Sequence, residues 1–253
     1  MDKEKIGKNI RFKNMLGEDG RTLIVAIDHG INGTSEGIED IVNVVQKVYE
    51  GGADAVMVNF GAVKKIVNKF GGKIRIIMTI PFDPKFVILA AKWGVDGVKT
   101  TYFGPIPLSE EMYVRFSSIF AACEEWEMPW IAEVVPTDSE RKTVYDVNVI
   151  KMAARIGSEL GGDIIKTAYA GTVEEFRGVV SSCLSPIVIM GGPKMESERD
   201  VLQMIKNSVE AGAIGGAIGR NIWQHKDPTK ITRAIMGIIH ENMDVDDALK
   251  LLR

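Results

Sequence analysis

The sequence predicts one closed (β/α)8 barrel, and three observations carry that reading. The chain has 253 residues, and a single barrel of about 250 residues would use all of it. Eight short apolar runs alternate with longer amphipathic stretches, in units of roughly 25–30 residues that leave no linker over. The runs are apolar at nearly every position instead of every second one, as expected of parallel strands covered on both faces. An open doubly wound sheet is the rival architecture. It rarely needs eight parallel strands, and no GxGxxG follows the first run.

Taken in order, the stretch before Leu23 turns at Gly17-Glu18-Asp19-Gly20 and is expected to cap the barrel bottom. The strand candidates are Leu23–Asp28, Ala53–Asn59, Ile74–Ile80, Gly97–Tyr102, Trp130–Val135, Asp163–Tyr169, Ile187–Gly192 and Gly215–Asn221. Helical spacing marks Ile38–Glu50, Glu110–Trp126, Val144–Leu160, Val173–Ser181 and Glu198–Ala211 between them. Glycine stands where helices end, at Gly51-Gly52, Gly71-Gly72, Gly94, Gly161-Gly162 and Gly212, which suits C-caps and tight returns to the sheet. Ser35 (with Glu39) and Thr172 (with Glu175) are candidate N-terminal caps, each followed by an acid. The whole of 1–253 is expected to form a single domain.

Composition narrows the function classes. With 31 Lys+Arg against 34 Asp+Glu the formal net charge is −3, so no positive field is available for nucleic acid. The two cysteines, Cys123 and Cys183, form no CxxC pair and read as reduced thiols. The charged start Met1-Asp2-Lys3-Glu4-Lys5 lacks the apolar core of a secretory leader. No apolar run approaches the ~18 residues of a membrane span. A soluble, cytoplasmic protein is the expectation, with no membrane or nucleic-acid partner.

Chemistry in such barrels lies at the C-terminal ends of the strands, and polar residues collect there. They are Asp28-His29, Asn59, Thr79 with Asp83, Lys99-Thr100-Thr101-Tyr102, Glu133, Lys166-Thr167-Ala168-Tyr169, Gly191-Gly192-Pro193-Lys194 and Gly219-Arg220-Asn221. Lys166 is the sharpest feature, because a lysine within an apolar strand is costly unless paired. It reads either as a structural ion pair with Asp28 or Glu133, or as an amine freed for Schiff-base attack on a carbonyl. Gly94 to Lys99 and Gly161 to Lys166 match at a constant offset of 67 residues, so Lys99 and Lys166 occupy equivalent places. Spacing does not choose between them. Two inward cations are expected to lower each other's pKa.

The Gly191-Gly192-Pro193-Lys194 and Gly219-Arg220 loops follow the seventh and eighth strands, the frequent phosphate site of this architecture. Arg220 could add a bidentate contact; the alternative is ordinary turn glycines beside a surface arginine. His29, next to Asp28, is either a site member or hydrogen-bonded scaffold. His225 and His240 fall in or near the last helical unit, and no ligand-spaced cluster of His or Cys supports a metal centre.

These residues together resemble the archaeal-type class I fructose-bisphosphate aldolase group of the DeoC/FbaB aldolase family. The matching stretches are Ala26-Ile-Asp28-His29-Gly30, Ala153 to Asp163, Ile165-Lys166-Thr167, Gly191-Gly-Pro-Lys194 and Gly219-Arg-Asn-Ile-Trp-Gln-His225. The resemblance implies a (β/α)8 barrel with Lys166 as the Schiff-base lysine and Asp28 as the strand-1 aspartate. It assigns Gly191, Gly192, Lys194, Gly219 and Arg220 to the substrate phosphate. Aldolases of this group typically carry Tyr-Pro-Arg-Gly after the fifth strand, with the tyrosine as acid/base. Here the stretch is Val135-Pro136-Thr137-Asp138, so the phenol is missing. Glu133, with a pKa raised by desolvation, is the expected substitute; Tyr102, Tyr169 and Tyr145 are others. The implied activity is metal-independent and cofactor-free cleavage or formation of a phosphorylated ketose, fructose 1,6-bisphosphate first. Transaldol chemistry of the 2-amino-3,7-dideoxy-D-threo-hept-6-ulosonate synthase kind, thiolase-type chemistry, and a non-catalytic phosphometabolite-binding barrel are the alternatives. A homo-oligomer is implied by the resemblance alone.

Overall fold

The computed structural model describes residues 5–33 and 36–253. The charged start at Met1 to Glu4 and the cap expected at Ser35 lie outside the described residues. Eight parallel strands close in sequence order into a barrel, with β8 paired back to β1. The strands are β1 Thr22–Ala26, β2 Ala55–Asn59, β3 Arg75–Thr79, β4 Gly97–Gly104, β5 Trp130–Pro136, β6 Ile164–Thr167, β7 Ile187–Met190 and β8 Gly215–Ile218. Each expected run overlaps one of them. β1, β6, β7 and β8 leave the ladder two or three residues before the expected end, whereas β4 and β5 run one or two residues beyond it.

The helices are α1 Ile6–Asn14, α2 Ile41–Glu50, α3 Phe60–Phe70, α4 Pro84–Trp93, α5 Glu110–Glu125, α6 Val147–Glu159, α7 Val173–Ser182, α8 Glu198–Glu210, α9 Arg220–Trp223, α10 Pro228–His240 and α11 Val245–Lys250. The first turns of α2, α4, α5, α6, α7, α8 and α10 are tied by side chains that accept orphan amides. Asp40 accepts from Asn43 N before α2, Asp146 caps α6, and Thr172 with Glu175 forms a full capping box before α7.

The apolar core lies in two shells, which explains why the strands lack alternation. Leu23, Val25, Val56, Ile76, Ile165 and Ile189 pack outward against the helices. Ile24, Met57, Ile77, Ile131, Ile164 and Val188 fill the barrel itself. The barrel bottom is closed by the N-terminal segment, as the sequence predicts. Met15, fully buried, and Phe12 join the interior cluster. Full burial of a Met side chain is worth roughly 1.5–3 kcal/mol. Lys8 pins α1 there by pairing with Glu124 at 2.6 Å and Asp163 at 2.8 Å.

One repeated device sets the strand register. An aspartate stands just before β2, β4 and β6, and its carboxylate accepts the backbone N–H at the start of the preceding strand. The bonds are Leu23 N to Asp54 at 2.6 Å, Ile76 N to Asp96 at 3.0 Å and Trp130 N to Asp163 at 2.8 Å. Three residues after these aspartates come Met57, Lys99 and Lys166, each turned into the barrel. The internal repeat at 67 residues is therefore a register device at the bottom and a lysine at the top. Closure of the barrel needs one unusual residue: Gly215 has φ 142°, and a Cβ there would lie 1.9 Å from Thr22 O.

Candidate active site

Inward parity selects the site before any chemistry is considered. Beyond the apolar layer the same parity continues upward through Thr79 on β3, Lys99, Thr101 and Phe103 on β4, Glu133 on β5 and Lys166 on β6. Asp28 follows β1. Pairing puts Glu133 level with Thr101 on one side and Lys166 on the other, and Thr79 level with Lys99. Four buried charges thus meet in an incomplete ring of contacts, open between Asp28 and Lys166.

Their order around the ring alternates in sign. Lys166 Nζ lies 2.6 Å from Glu133 Oε1. Glu133 Oε2 accepts from Lys99 Nζ at 2.8 Å and from Thr101 Oγ1 at 2.8 Å. Lys99 Nζ continues to Asp28 Oδ2 at 2.7 Å, which also accepts from the Thr79 hydroxyl at 2.7 Å. A third bond from Lys99 Nζ, to Thr101 Oγ1 at 2.6 Å, uses the last of its three N–H groups. Lys99 is therefore saturated, whereas Lys166 holds one carboxylate oxygen.

The electrostatics reverse two expectations. Burial alone would raise the Glu133 carboxyl, but the Lys166 and Lys99 ammoniums outweigh it and hold Glu133 down at about 2. Glu133 is thus an ionised acceptor here, not a carboxyl with a raised pKa. Burial would likewise depress Lys99, yet the Asp28 and Glu133 charges push it above the usual lysine range. The lysines are separated by a carboxylate, so attraction dominates Lys99 in place of the expected mutual repulsion. Asp28 is held well below the carboxylate range: burial opposes this, and the Lys99 and Lys166 charges prevail. Burial lowers His29, which sits 3.6 Å from Asp28 Oδ1 and edge-on to Trp223 at 5.7 Å.

Above this ring the barrel mouth opens as two connected lobes that share His29, Phe103, Glu133 and Lys166 as a common wall. One lobe, about 240 Å³, reaches down to Asp28, Thr79 and Lys99. The other, about 330 Å³, runs beneath Gly191, Gly192, Gly219 and Arg220. Arg220 donates to Gly192 O at 3.0 Å, while its Nε is buried without a partner. Asn221 braces the same loop, donating to Gly191 O at 2.8 Å and Pro193 O at 3.1 Å. Gly192 turns with φ 64°, a conformation glycine adopts at no steric cost. Gly219 has a packing reason of its own, since a Cβ there would stand 2.9 Å from both Ala26 O and His29 Cε1.

Two expected site residues face elsewhere. Lys194 follows the turn at Gly192-Pro193 and swings outward, donating to Gln224 O at 3.0 Å, so its ammonium borders a neighbouring cleft and not the chamber. Tyr169 has outward parity and packs on Phe176 at 4.8 Å, beside an apolar cavity that adjoins the chamber at Tyr145 and the Gly191-Gly192 loop. Tyr102 is outward too, its hydroxyl donating to Pro105 O at 2.8 Å. Of the substitutes considered for the missing tyrosine, Glu133 and Tyr145 line the chamber. Tyr145 arrives on a small hairpin, bridged between Thr137 and Thr143, that follows β5. Val135 itself is fully buried. Sequence reasoning passed over Phe103 and placed Asn221 at the rim without giving it a role. Phe103 was legible from the parity of Lys99 and Thr101, whereas the bracing role of Asn221 needs the folded loop. Among the described residues no three His, Cys, Asp or Glu side chains converge as metal ligands, and no helix is long and apolar enough to cross a membrane.

Comparison with known proteins gives a consistent set of likenesses. The model of the DeoC/LacD family aldolases matches residues 22–225. An uncharacterized aldolase of Saccharolobus solfataricus is 33% identical over 98% of this chain and 100% of its own. The 2-amino-3,7-dideoxy-D-threo-hept-6-ulosonate synthase 1 of Archaeoglobus fulgidus is 30% identical over 97% of this chain and 95% of its own. Among solved structures, an archaeal fructose 1,6-bisphosphate aldolase superposes with a TM-score of 0.81 at 23% identity, covering 92% of this chain and 99% of that one. That last likeness concerns the fold.

Proposed function

The chain belongs to the DeoC/LacD family of aldolases, and from that premise we propose that it is a Schiff-base enzyme in which Lys166 attacks the ketone of a phosphorylated ketose. The observation that carries the reading is the inequality of the two buried lysines. All three N–H groups of Lys99 are engaged, and it borders one lobe; Lys166 holds only Glu133 and stands on the wall common to both lobes. A carbonyl at the junction of the lobes is within the domain of Lys166 alone.

Attack by the unprotonated amine, followed by loss of water, forms an iminium that withdraws electrons from the neighbouring carbon. Glu133, ionised and 2.6 Å from Nζ, is the counter-ion of that cation, which is electrostatic stabilisation preorganised before substrate arrives. Asp28 keeps its Oδ1 toward the lobe while Oδ2 is occupied by Thr79 and Lys99. It is the base that receives the hydroxyl proton as the carbon–carbon bond breaks. The buried, unpartnered Arg220 Nε and the Gly191-Gly192 and Gly219 backbone supply the donors a phosphate needs.

The fructose 1,6-bisphosphate reaction and a transaldol reaction of the synthase kind share this step and differ in what fills the lobe over Asp28. The second has its own support in relatives of that name at 30% and 29% identity. Borohydride reduction in the presence of dihydroxyacetone phosphate, followed by peptide mass mapping, tests the common step. The expected adduct is on Lys166, lost in Lys166→Met and retained on Lys166 in Lys99→Met. An adduct on Lys99 in the unaltered protein overturns the assignment.

A further inference from the structure

The two lobes offer opposite chemistry, and the difference concerns the half of the substrate that leaves or joins. Under Gly191, Gly192 and Gly219 the walls present donors and an arginine. Over Asp28 the cationic and hydroxyl donors are already used. The three Lys99 N–H groups, the Thr79 hydroxyl and the Thr101 hydroxyl are all committed to Asp28, Glu133 and one another. What remains open there among the described residues is Asp28 Oδ1, an acceptor, and the uncharged His29 ring, whose Nδ1 lies 3.6 Å from it without a hydrogen bond. The outer edge of the lobe is apolar: Ile31 and Phe103 line it and are 72% and 52% exposed. An acceptor-only dianion placed here meets two carboxylates and no uncommitted lysine or arginine apart from the reacting Lys166. A hydroxyl finds a partner in Asp28 Oδ1, and an uncharged carbon chain finds Ile31 and Phe103.

We propose that this lobe takes an unphosphorylated hydroxyaldehyde, so that the substrate is a ketose monophosphate with its single phosphate on the ketone-bearing half. The inference rests on Lys166 as the Schiff-base lysine. In the cleavage direction, Lys166 condenses with the C2 ketone and one water leaves. The C3–C4 bond breaks with its electron pair passing to C3 as the enamine, while the C4 hydroxyl gives its proton to Asp28 and becomes the aldehyde. C3 then takes up one proton, and one water hydrolyses the iminium. Ketone phosphate and hydroxyaldehyde are released, with no net gain or loss of protons or water.

Fructose 1-phosphate and fructose 1,6-bisphosphate form a matched pair that differs only in the phosphate on the aldehyde half. Dihydroxyacetone phosphate release is measured for both, with borohydride trapping in parallel. The expected result is kcat/KM at least tenfold higher for the monophosphate. Phe103→Arg, which adds a cation at the exposed edge, is expected to narrow that ratio at least fivefold by raising use of the bisphosphate. Equal or preferred cleavage of the bisphosphate overturns the inference, as does a ratio that Phe103→Arg leaves unmoved. Adducts on Lys166 from both sugars without cleavage of either refute the hydroxyaldehyde assignment while leaving the Schiff-base reading intact. No adduct from either sugar refutes the Schiff-base reading itself, and the inference falls with it.

Discussion

Replacing Glu133 with glutamine keeps the shape of the side chain and removes one charge from the ring of Asp28, Lys99, Glu133 and Lys166. In the native protein Glu133 is 5% exposed and bonded to both ammoniums, at 2.6 and 2.8 Å. The variant therefore holds two buried cations against one carboxylate. Removing one partner of a buried pair typically costs about 3–5 kcal/mol. The protein has one escape, releasing a proton from one of the two ammoniums. At pH 7 that costs about 4.6 kcal/mol against an ordinary lysine pKa of ~10.4. Glu133→Gln is thus expected to lose about 3–5 kcal/mol at pH 7. If the escape is taken, the folded variant binds one proton fewer than its unfolded chain, so its stability relative to the native protein recovers with rising pH, by about 1.4 kcal/mol per unit. Urea unfolding of both proteins at pH 7 and pH 9 measures this, and the deficit is expected to shrink by roughly 2–3 kcal/mol. A deficit under ~1 kcal/mol at pH 7, or one of several kcal/mol unchanged at pH 9, refutes the alternating ring as described.

Other expectations follow from single contacts. Arg220→Gln removes the half-buried guanidinium that faces the glycine loops, and KM for a phosphorylated ketone should rise about 10- to 100-fold, the equivalent of one charge-assisted contact; an unchanged KM places the phosphate elsewhere. His240 is desolvated, which works to lower its pKa, but bonds to Asp54 and Asp19 on both ring nitrogens raise it above 6.5. Its contribution to stability is therefore complete below about pH 6.5 and lost as pH rises through the higher folded value. The deficit of His240→Asn in urea should be larger at pH 6 than at pH 9, and the opposite order contradicts the assignment. Tyr102→Phe should cost about 1 kcal/mol for its bond to Pro105 O and leave turnover unaltered; a collapse of turnover would make Tyr102 the missing acid.

The barrel was legible because each unit repeats the same physics: an apolar strand between two packed layers, then a glycine-terminated amphipathic helix. The aspartates before β4 and β6 were visible within a repeated pattern, though the bond each makes to its neighbour's backbone, and the matching one before β2, were not. Residue type and chain position placed Asp28, Lys99, Glu133, Lys166, Gly191, Gly192, Gly219 and Arg220 at one rim, since parallel strands of a closed barrel all end on the same side. Lys194 and Tyr169 share those loops and turn away, because a single positive-φ glycine and the strand's parity redirect them.

What only the tertiary structure decided is the charge state and the inequality of like residues. Desolvation and Coulomb terms act in opposite directions on a buried carboxyl, and their balance depends on distances of a few ångströms between separate strands. Sequence spacing makes Lys99 and Lys166 equivalents. Three-dimensional pairing gives Lys99 three partners and Lys166 one, lowers Glu133 where desolvation alone would raise it, and divides the mouth into a lobe beneath Arg220 and the glycine loops and a lobe over Asp28 and Lys99.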